Sequence, residues 1–235
     1  STKTLREEIL TLRKKEKQPV KTAAYGVSVE NLKVTYDEGE TLTYPNFTIK
    51  PGEKVLLTGD SGTGKSTLFK ALLGKIETKC GKITYFDKES RPITNANLGY
   101  LPQDPIVFPI SIKDNITMFV KRTEKQLMNI INNVELKNDL DKLPSGIDTE
   151  VNLKKNNLSG GQRQKIVLAR SEIYHQPFVL MDEVTSAIDQ KATEEIITAL
   201  LKTDQTILMI AHNFTPELRA KFDQEIKLAK KGEEE

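Results

Sequence analysis

Apolar residues along the chain form short continuous runs separated by stretches with helical spacing. KVLLTG (54–59) and FVLMDE (178–183) have the length and composition of buried strands, whereas STLFKALLGK (66–75) has the spacing of an amphipathic helix. The second half of the chain alternates helix, strand, helix and strand over 164–175, 178–182, 190–202 and 206–211. This alternation predicts a parallel sheet of the α/β class.

Two segments depart from this alternation. VSVENLKVTY (27–36) and TLTYPNFTI (41–49) are rich in β-branched and aromatic residues and predict an antiparallel β patch near the N terminus. Residues 111–143 are polar and helix-prone and contain no strand signal, which predicts a helical insertion. The predicted fold class is therefore α/β, with a parallel-sheet core, an N-terminal antiparallel patch and an inserted helical subdomain.

The N-terminal segment is basic and amphipathic. Residues 4–17 open with a Thr4-x-x-Glu7 capping box and predict a short helix. Two interpretations of this segment stay open, a contact with an anionic membrane surface and a solvated linker. Because the chain starts at Ser1 rather than Met, we expect it to be a piece of a longer protein. The acidic tail, 231–235, predicts disorder.

Composition excludes several classes of protein. The hydrophobic fraction of 37% is sufficient for a core, and 35 basic against 33 acidic residues predict a mixed surface, which argues against a nucleic-acid partner. The single cysteine, Cys80, excludes an internal disulfide and fits a reducing compartment. No apolar run approaches the roughly 18 residues that span a bilayer.

A glycine-rich loop follows the first apolar strand and opens the first helix. Its sequence, GDSGTGKST, matches the phosphate-binding pattern G-x-x-x-x-G-K-[ST] in the context that the pattern requires, so a chance match is improbable. Backbone N–H groups and the helix N terminus would surround phosphate oxygens, Lys65 would reach the β- and γ-phosphates, and Ser66 would bind Mg²⁺. The loop comprises Gly59, Asp60, Ser61, Gly62, Thr63, Gly64, Lys65, Ser66 and Thr67.

Two further motifs carry candidate chemistry. FVLMDE ends in Asp182, placed to bind Mg²⁺ through water, and Glu183, placed to orient or deprotonate an attacking water. An ordinary strand that runs into an acidic loop is the alternative, and the phosphate loop argues against it. LSGGQ (158–162) precedes a second helical stretch with Ser159 near its cap, and this predicts a second anion-binding helix N terminus or, more simply, a glycine turn before a helix.

The motifs, taken in their order along the chain, resemble those of the ABC ATPase family, and the resemblance covers about residues 25–228. The resemblance rests on Tyr36, the phosphate loop, Gln103 in YLPQDP, the signature LSGGQ, FVLMDE, the D-loop SAID (186–189) and His212 in IAHN. It implies domain boundaries as follows: a linker at 1–25, the ATPase core at 26–103 and 159–230, the helical subdomain at 104–158 and a tail at 231–235.

The resemblance also implies ATP as substrate, Mg²⁺ as cofactor and a role for each motif. Tyr36 stacks on adenine; Ser66, Gln103 and Asp182 hold Mg²⁺; Glu183, Gln103 and His212 serve hydrolysis. The signature residues Ser159, Gly160, Gly161 and Gln162 contact the ATP of a partner cassette, identical or related, and Ser186 and Asp189 lie at the dimer contact.

LGYLPQDPIVFPISIKDNI (98–116) and LPSGIDTEV (143–151) look most like exporter-type cassettes. This implies a domain that follows a membrane-spanning half on the same polypeptide, lies at the cytoplasmic face of the membrane and powers translocation by ATP-driven dimerisation, with the N-terminal helix as connector. Three features depart from the exporter pattern: NLKKNN (152–157) replaces a Gly-Glu-rich segment, Pro109 replaces a small residue and Asn213 replaces the usual Arg.

Three rival functions are weaker. A chromosome-maintenance ATPase would carry long heptad-rich insertions before the signature, and this chain has no sustained heptads. A tandem cassette that acts on ribosomes needs a second set of motifs. A nucleotide-sensing module that does not turn over has no use for Glu183 and His212.

Tyr36 generates the first prediction. Because stacking uses the π face that all purines share, we expect ATP and GTP to compete within a few-fold, and Tyr36→Ala to weaken the binding of both alike. Nucleotide titrations measure this, and an unchanged affinity in the variant would remove Tyr36 from the site.

Overall fold

The computed structural model describes residues 21–35, 41–212 and 214–229. The predicted N-terminal helix, Tyr36, Asn213 and the acidic tail lie outside the described residues. The chain divides into two compact units, one made of Asp104–His175 and Val184–Lys202 and the other of Thr22–Gln103, Gln176–Glu183 and 203–229. The domain boundaries taken from the sequence remain a prediction.

All strands of the described residues belong to the second unit. They are β1 Thr22–Ala23, β2 Gly26–Thr35, β3 Thr41–Thr43, β4 Phe47–Ile49, β5 Lys54–Gly59, β6 Cys80–Phe86, β7 Pro92–Ile93, β8 Ala96–Asn97, β9 Gly99–Leu101, β10 Phe178–Asp182, β11 Thr206–Ile210 and β12 Gln224–Leu228. The helices are α1 Lys65–Leu72, α2 Ile112–Thr117, α3 Glu124–Asn133, α4 Lys137–Leu140, α5 Gly160–Tyr174, α6 Gln190–Leu201 and α7 Pro216–Arg219, with a 3₁₀ turn at Gly146–Asp148.

The central sheet is parallel, with strand order β12-β5-β11-β10-β9. Every residue of β10 and β11 is buried, on both faces of the sheet. Such continuous apolar runs are expected of central parallel strands, so the parallel core predicted from the sequence is confirmed. The structure adds two strands that the sequence did not predict, the short β9 and β12, and the sequence QEIKL of β12 buries only Ile226 and Leu228.

The predicted antiparallel patch is confirmed and is larger than expected. β2 pairs with β3, β4 and β6, and β6 continues to β7. The strands β6 and β7 had no counterpart in the sequence prediction. One apolar cluster joins residues of this sheet and of the parallel sheet to Leu68, Phe69 and Leu72 of α1. Burial of these apolar side chains is the main favourable contribution to folding of this unit.

The other unit is helical, and the predicted helical segment 111–143 resolves into α2, α3 and α4. Four N-cap side chains begin its helices: Ser111 at α2, Thr123 at α3, Ser159 at α5 and Asp189 at α6. Each accepts a hydrogen bond from a backbone N–H group of the first turn, which satisfies a donor that the helix leaves unpaired. No helix of the described residues is long and apolar enough to cross a membrane.

Asn115 and Arg170 connect the segment before α2 with α5. The fully buried Asn115 side chain donates to the carbonyl oxygens of Phe108, Ile110 and Ser111 and accepts from the N–H of Phe108. Arg170 donates to Asn115 O at 2.7 Å, and burial lowers its pKa to about 10. A partly buried guanidinium is thus held by carbonyl oxygens, among them Asn115 O and Ile106 O, which offset part of its desolvation.

Candidate functional site

The phosphate loop connects β5 to α1 and is held by hydrogen bonds to itself and to one tyrosine. Thr63 Oγ1 donates to Asp60 O at 2.9 Å, and Tyr44 Oη donates to Gly64 O at 3.0 Å. Gly64, the residue before α1, has a φ of 93°. These hydrogen bonds fix the shape of the loop backbone, with the N terminus of α1 at its end.

Lys65 lies within the loop, almost entirely buried. Its Nζ donates to Gly59 O at 2.7 Å and to Asp60 O at 2.9 Å. Burial lowers the pKa of its ammonium group, and the carboxylates of Glu183, Asp60 and Asp182 act in the opposite direction. The ammonium group thus lies beside two carbonyl oxygens that a phosphate could replace as acceptors.

Gly59 stands where the chain has no room for a side chain. Its φ is 142°, and a Cβ atom there would lie 2.4 Å from Leu228 O and 2.8 Å from Thr63 Oγ1. The backbone oxygen of Leu228 belongs to the neighbouring strand β12 and cannot withdraw without breaking the sheet. The first glycine of the motif is therefore required by packing as well as by conformation.

Asp182 is the last residue of β10 and is mostly buried. Burial and the neighbouring Glu183 raise the pKa of its carboxyl group, while Tyr100, Lys65 and His212 oppose that shift. Tyr100 Oη lies 3.4 Å from Asp182 Oδ2. Tyr100 pairs with Leu180, two residues before Asp182 on the same face of the sheet, so its long side chain reaches the carboxylate.

Three sequence-predicted residues come together around the Glu183 carboxylate. Gln103 Nε2 donates to Oε2 at 2.8 Å, and His212 Nε2 lies 3.0 Å from Oε1. The three side chains follow the ends of the parallel strands β9, β10 and β11. Glu183 itself has a φ of 50°, a left-handed conformation that is uncommon outside glycine. Both carboxylate oxygens are therefore oriented by partners that lie just after the ends of the neighbouring strands.

A cavity of about 370 Å³ connects the phosphate loop with this carboxylate. Its volume falls within the range of small-molecule sites. Its lining is Leu42, Ser61, Gly62, Gly64, Lys65, Ser66, Thr67, Glu183 and His212. Most of the phosphate loop, including Lys65, and the candidate base Glu183 thus line one space.

The signature residues open α5 in the helical unit. Ser159 Oγ accepts from Gln162 N at 3.1 Å, and Gln162 Oε1 accepts from Ser159 N at 2.9 Å, which completes a capping box. Gln162 Nε2 donates to Asp139 Oδ1 at 3.3 Å. Gly160 and Gly161 form the first turn, so this segment is the helix N terminus that the sequence predicted.

Comparison with known proteins identifies the family. The family model described as ABC transporter matches residues 42–186. The chain belongs to the ABC transporter family. Within it, the chain is 36% identical over 180 residues to the mesentericin-Y105 transport/processing ATP-binding protein MesD of Leuconostoc mesenteroides, a match that covers 72% of this chain and 24% of that protein.

Other members of the family show the same partial coverage. The chain is 32% identical to the mitochondrial ATP-dependent permease MDL1 of Saccharomyces cerevisiae, over 85% of this chain and 31% of that protein. A solved bacterial Atm1-family ABC exporter with ATP bound superposes with a TM-score of 0.74 at 24% identity, over 94% of this chain and 41% of that one. The chain thus has the P-loop fold of an ABC ATP-binding domain and spans about a quarter to a third of these curated relatives.

The donor set fits magnesium better than a transition metal. No group of three or more His, Cys, Asp or Glu side chains that could hold a metal ion occurs within 21–35, 41–212 and 214–229. Mg²⁺ in ATP sites needs no such cluster, because one or two protein oxygens, water and the phosphates complete its octahedron. The exposed hydroxyl of Ser66, the carboxylate of Asp182 and the amide oxygen of Gln103 are ligands of this kind.

Sequence reasoning missed Tyr44 and Tyr100. Tyr44 lies in the β-rich stretch TLTYPNFTI, where aromatic residues are ordinary, and Tyr100 opens YLPQDP. Neither tyrosine stands at a spacing that phosphate chemistry demands. The parallel register between β9 and β10 is the signal that places Tyr100 beside Asp182.

The packing around Gly59 generates a paired prediction. Gly62 also has a positive φ, 83°, but a Cβ atom there would meet nothing within 4 Å. We expect Gly62→Ala to cost about 1 kcal/mol of unfolding free energy through backbone strain alone. Gly59→Ala adds a collision with Leu228 O and should cost clearly more and abolish ATP binding. Urea denaturation and nucleotide titration of both variants test this, and equal costs would contradict the packing argument.

Proposed function

We propose that this chain binds MgATP and hydrolyses it as the ATP-binding domain of an exporter-type ABC transporter, in a dimer with an identical or related domain. The observation that carries the proposal is the Glu183 carboxylate, oriented by Gln103 and His212 at the edge of a cavity lined by the phosphate loop. Phosphoryl transfer needs mainly positioning and charge stabilisation, and this arrangement supplies both.

Nucleotide binding would use the phosphate loop. Its backbone N–H groups and the N terminus of α1 attract the phosphates, and Lys65 Nζ exchanges its carbonyl acceptors for β- and γ-phosphate oxygens. Mg²⁺, held by Ser66, by Gln103 and by Asp182 through water, would neutralise charge on the β- and γ-phosphates. Tyr100 Oη supports the orientation of the Asp182 carboxylate.

Hydrolysis would depend on Glu183. Its carboxylate positions or deprotonates the water that attacks the γ-phosphate in line, and a base within hydrogen-bond reach of that water is suited to the task. Gln103 and His212 hold one carboxylate oxygen each, which restricts rotation of the carboxyl group. His212 also lines the cavity, where it can contact the γ-phosphate.

The second anion-binding helix N terminus supports a shared site. Ser159 Oγ accepts from Gln162 N, so its hydroxyl proton remains available to a phosphate oxygen, and the first-turn N–H groups of α5 add positive potential. In the proposed dimer the signature of one chain closes over ATP held by the phosphate loop of the other, with Ser186 and Asp189 at the contact.

The transport role rests on the relatives. Proteins named transport/processing ATP-binding protein, ATP-dependent permease and ABC exporter are similar to this chain and much longer. We infer that a membrane-spanning half on the same polypeptide couples to this domain at the cytoplasmic face of the membrane. The loop 152–157, Pro109 and Asn213 mark where coupling would differ from other exporters.

The role of Glu183 predicts a trapped dimer. Glu183→Gln removes the proton acceptor but keeps a side chain of the same shape, so we expect unchanged ATP affinity, hydrolysis slowed by about 10²- to 10⁴-fold and accumulation of an ATP-bound dimer. Size-exclusion chromatography with ATP and a phosphate-release assay measure these effects. Glu217→Gln, at an exposed position of α7, is the matched control. A variant that stays monomeric at high concentration with ATP bound would count against the dimer.

The shared site predicts complementation between two inactive variants. Lys65→Ala destroys the phosphate loop and Ser159→Arg blocks the signature, so each variant alone should be inactive because every site in its symmetric dimer carries the lesion. In a hybrid dimer with one chain of each variant, one site contains both lesions and the other contains neither. With random pairing and independent sites, roughly a quarter of wild-type activity should return. If phosphate release stays at the level of either variant alone although hybrids form, a site within one chain is indicated instead.

A further inference from the structure

Gln164 lies one turn into α5 and only 4% of its surface is exposed. Its side-chain amide is bound at both ends by the D-loop, residues 186–189. Gln164 Nε2 donates to Ser186 Oγ at 3.0 Å, and Gln164 Oε1 accepts from Ala187 N at 2.9 Å. A buried polar group with both ends satisfied in one geometry is costly to rearrange, so these two hydrogen bonds act as a clamp.

The signature glycines pack against the same loop. A Cβ atom at Gly161 would lie 2.7 Å from Ala187 O, and one at Gly160 would lie 3.2 Å from Ala187 Cβ. The first turn of α5 therefore packs directly against the D-loop backbone, at a distance that leaves no room for a side chain at Gly161. This contact gives the two glycines a packing role that is independent of any phosphate.

The D-loop is shaped by its own hydrogen bonds on either side of the clamp. Ile188 N donates to Thr185 O at 3.0 Å, and Asp189 Oδ1 caps α6 by accepting from Ala192 N at 3.0 Å. Ser186 and Ala187 are nevertheless exposed on their outer side. The clamp thus joins two segments that keep exposed residues, Ser159 in the signature and Ser186 and Ala187 in the D-loop.

We propose that Gln164 is a positioning residue that holds the signature and the D-loop as one body, so that both reach the partner's ATP site in a fixed geometry. This inference rests on the proposed shared-site function. The competing hypothesis is that loss of the clamp acts on the chain's own site. Only Val184 and Thr185 separate Glu183 from the D-loop, so a displaced D-loop would then disturb the proposed base.

Gln164→Met tests the clamp because it keeps the side-chain volume and removes both hydrogen bonds. We expect kcat to fall by at least about tenfold, since a displacement of about 1 Å in a reacting site can cost more than that. The affinity of the isolated chain for ATP should stay within about twofold. Gln164→Glu can still accept from Ala187 N and from the Ser186 hydroxyl, so it should retain more activity than the Met variant. Gln224→Met, on the half-exposed strand β12, is the matched control.

Mixing experiments locate the defect. A hybrid of Gln164→Met with Lys65→Ala contains one site built from an intact phosphate loop and an intact signature, so its activity should rise towards the value of the Lys65→Ala and Ser159→Arg mixture. A hybrid of Gln164→Met with Ser159→Arg contains no such site and should show no recovery. A general folding defect would give neither this asymmetry nor unchanged ATP affinity.

Every other pattern overturns the inference. Recovery only with Ser159→Arg would place the effect of Gln164 in its own chain's site, and recovery with neither partner would mean that both sites depend on it. Full activity of Gln164→Met alone would show that the clamp is dispensable. The mixture of Lys65→Ala and Ser159→Arg is the control for the shared site itself, since its failure would reject the proposed function rather than the role of Gln164.

Discussion

The parallel register of β9, β10 and β11 is the constraint on which the candidate site depends. Because these strands run side by side in one direction, their carboxyl ends share one edge of the sheet, and Gln103, Glu183 and His212 meet there. The neighbouring strand β5 delivers Gly59, the start of the phosphate loop, to the same edge. A slip of one residue in β10 would turn Asp182 to the opposite face and dismantle the site.

In the parallel sheet, sequence patterns predicted the strands with long apolar runs, β5, β10 and β11, and missed β9 and β12. KVLLTG and FVLMD contain continuous apolar runs, and such runs predict a buried strand from the local sequence alone. The first three residues of CGKITYF (β6) are exposed, and the rest are only half-buried. QEIKL (β12) alternates over only five positions, which is too short to distinguish a strand from a helix. Their pairing is decided by β2 and β5, which lie distant in the sequence.

The residues of the candidate site divide in the same way, into those that the local sequence predicts and those that only long-range contacts bring together. The phosphate loop and the Asp182–Glu183 pair are readable because phosphate chemistry demands particular residues at fixed spacing beside a strand and a helix. Tyr100 and Gln164 could not be found in this way. Gln164 looks like an ordinary polar residue of a helix, and its significance arises from Ser186, 22 residues later in the chain. The roles that the resemblance assigns to the motif residues stay predictions.

The left-handed backbone of Glu183 sets its proposed function against stability. A residue with a side chain in this conformation costs of order 1–3 kcal/mol, and the surrounding sheet must hold it there against relaxation. Glycine at this position would relieve the strain and would also remove the carboxylate that we propose as the base. If Glu183 acts as proposed, this strain is a stability cost that accompanies the activity, and substitutions that raise thermal resistance without loss of that activity have to lie elsewhere in the fold.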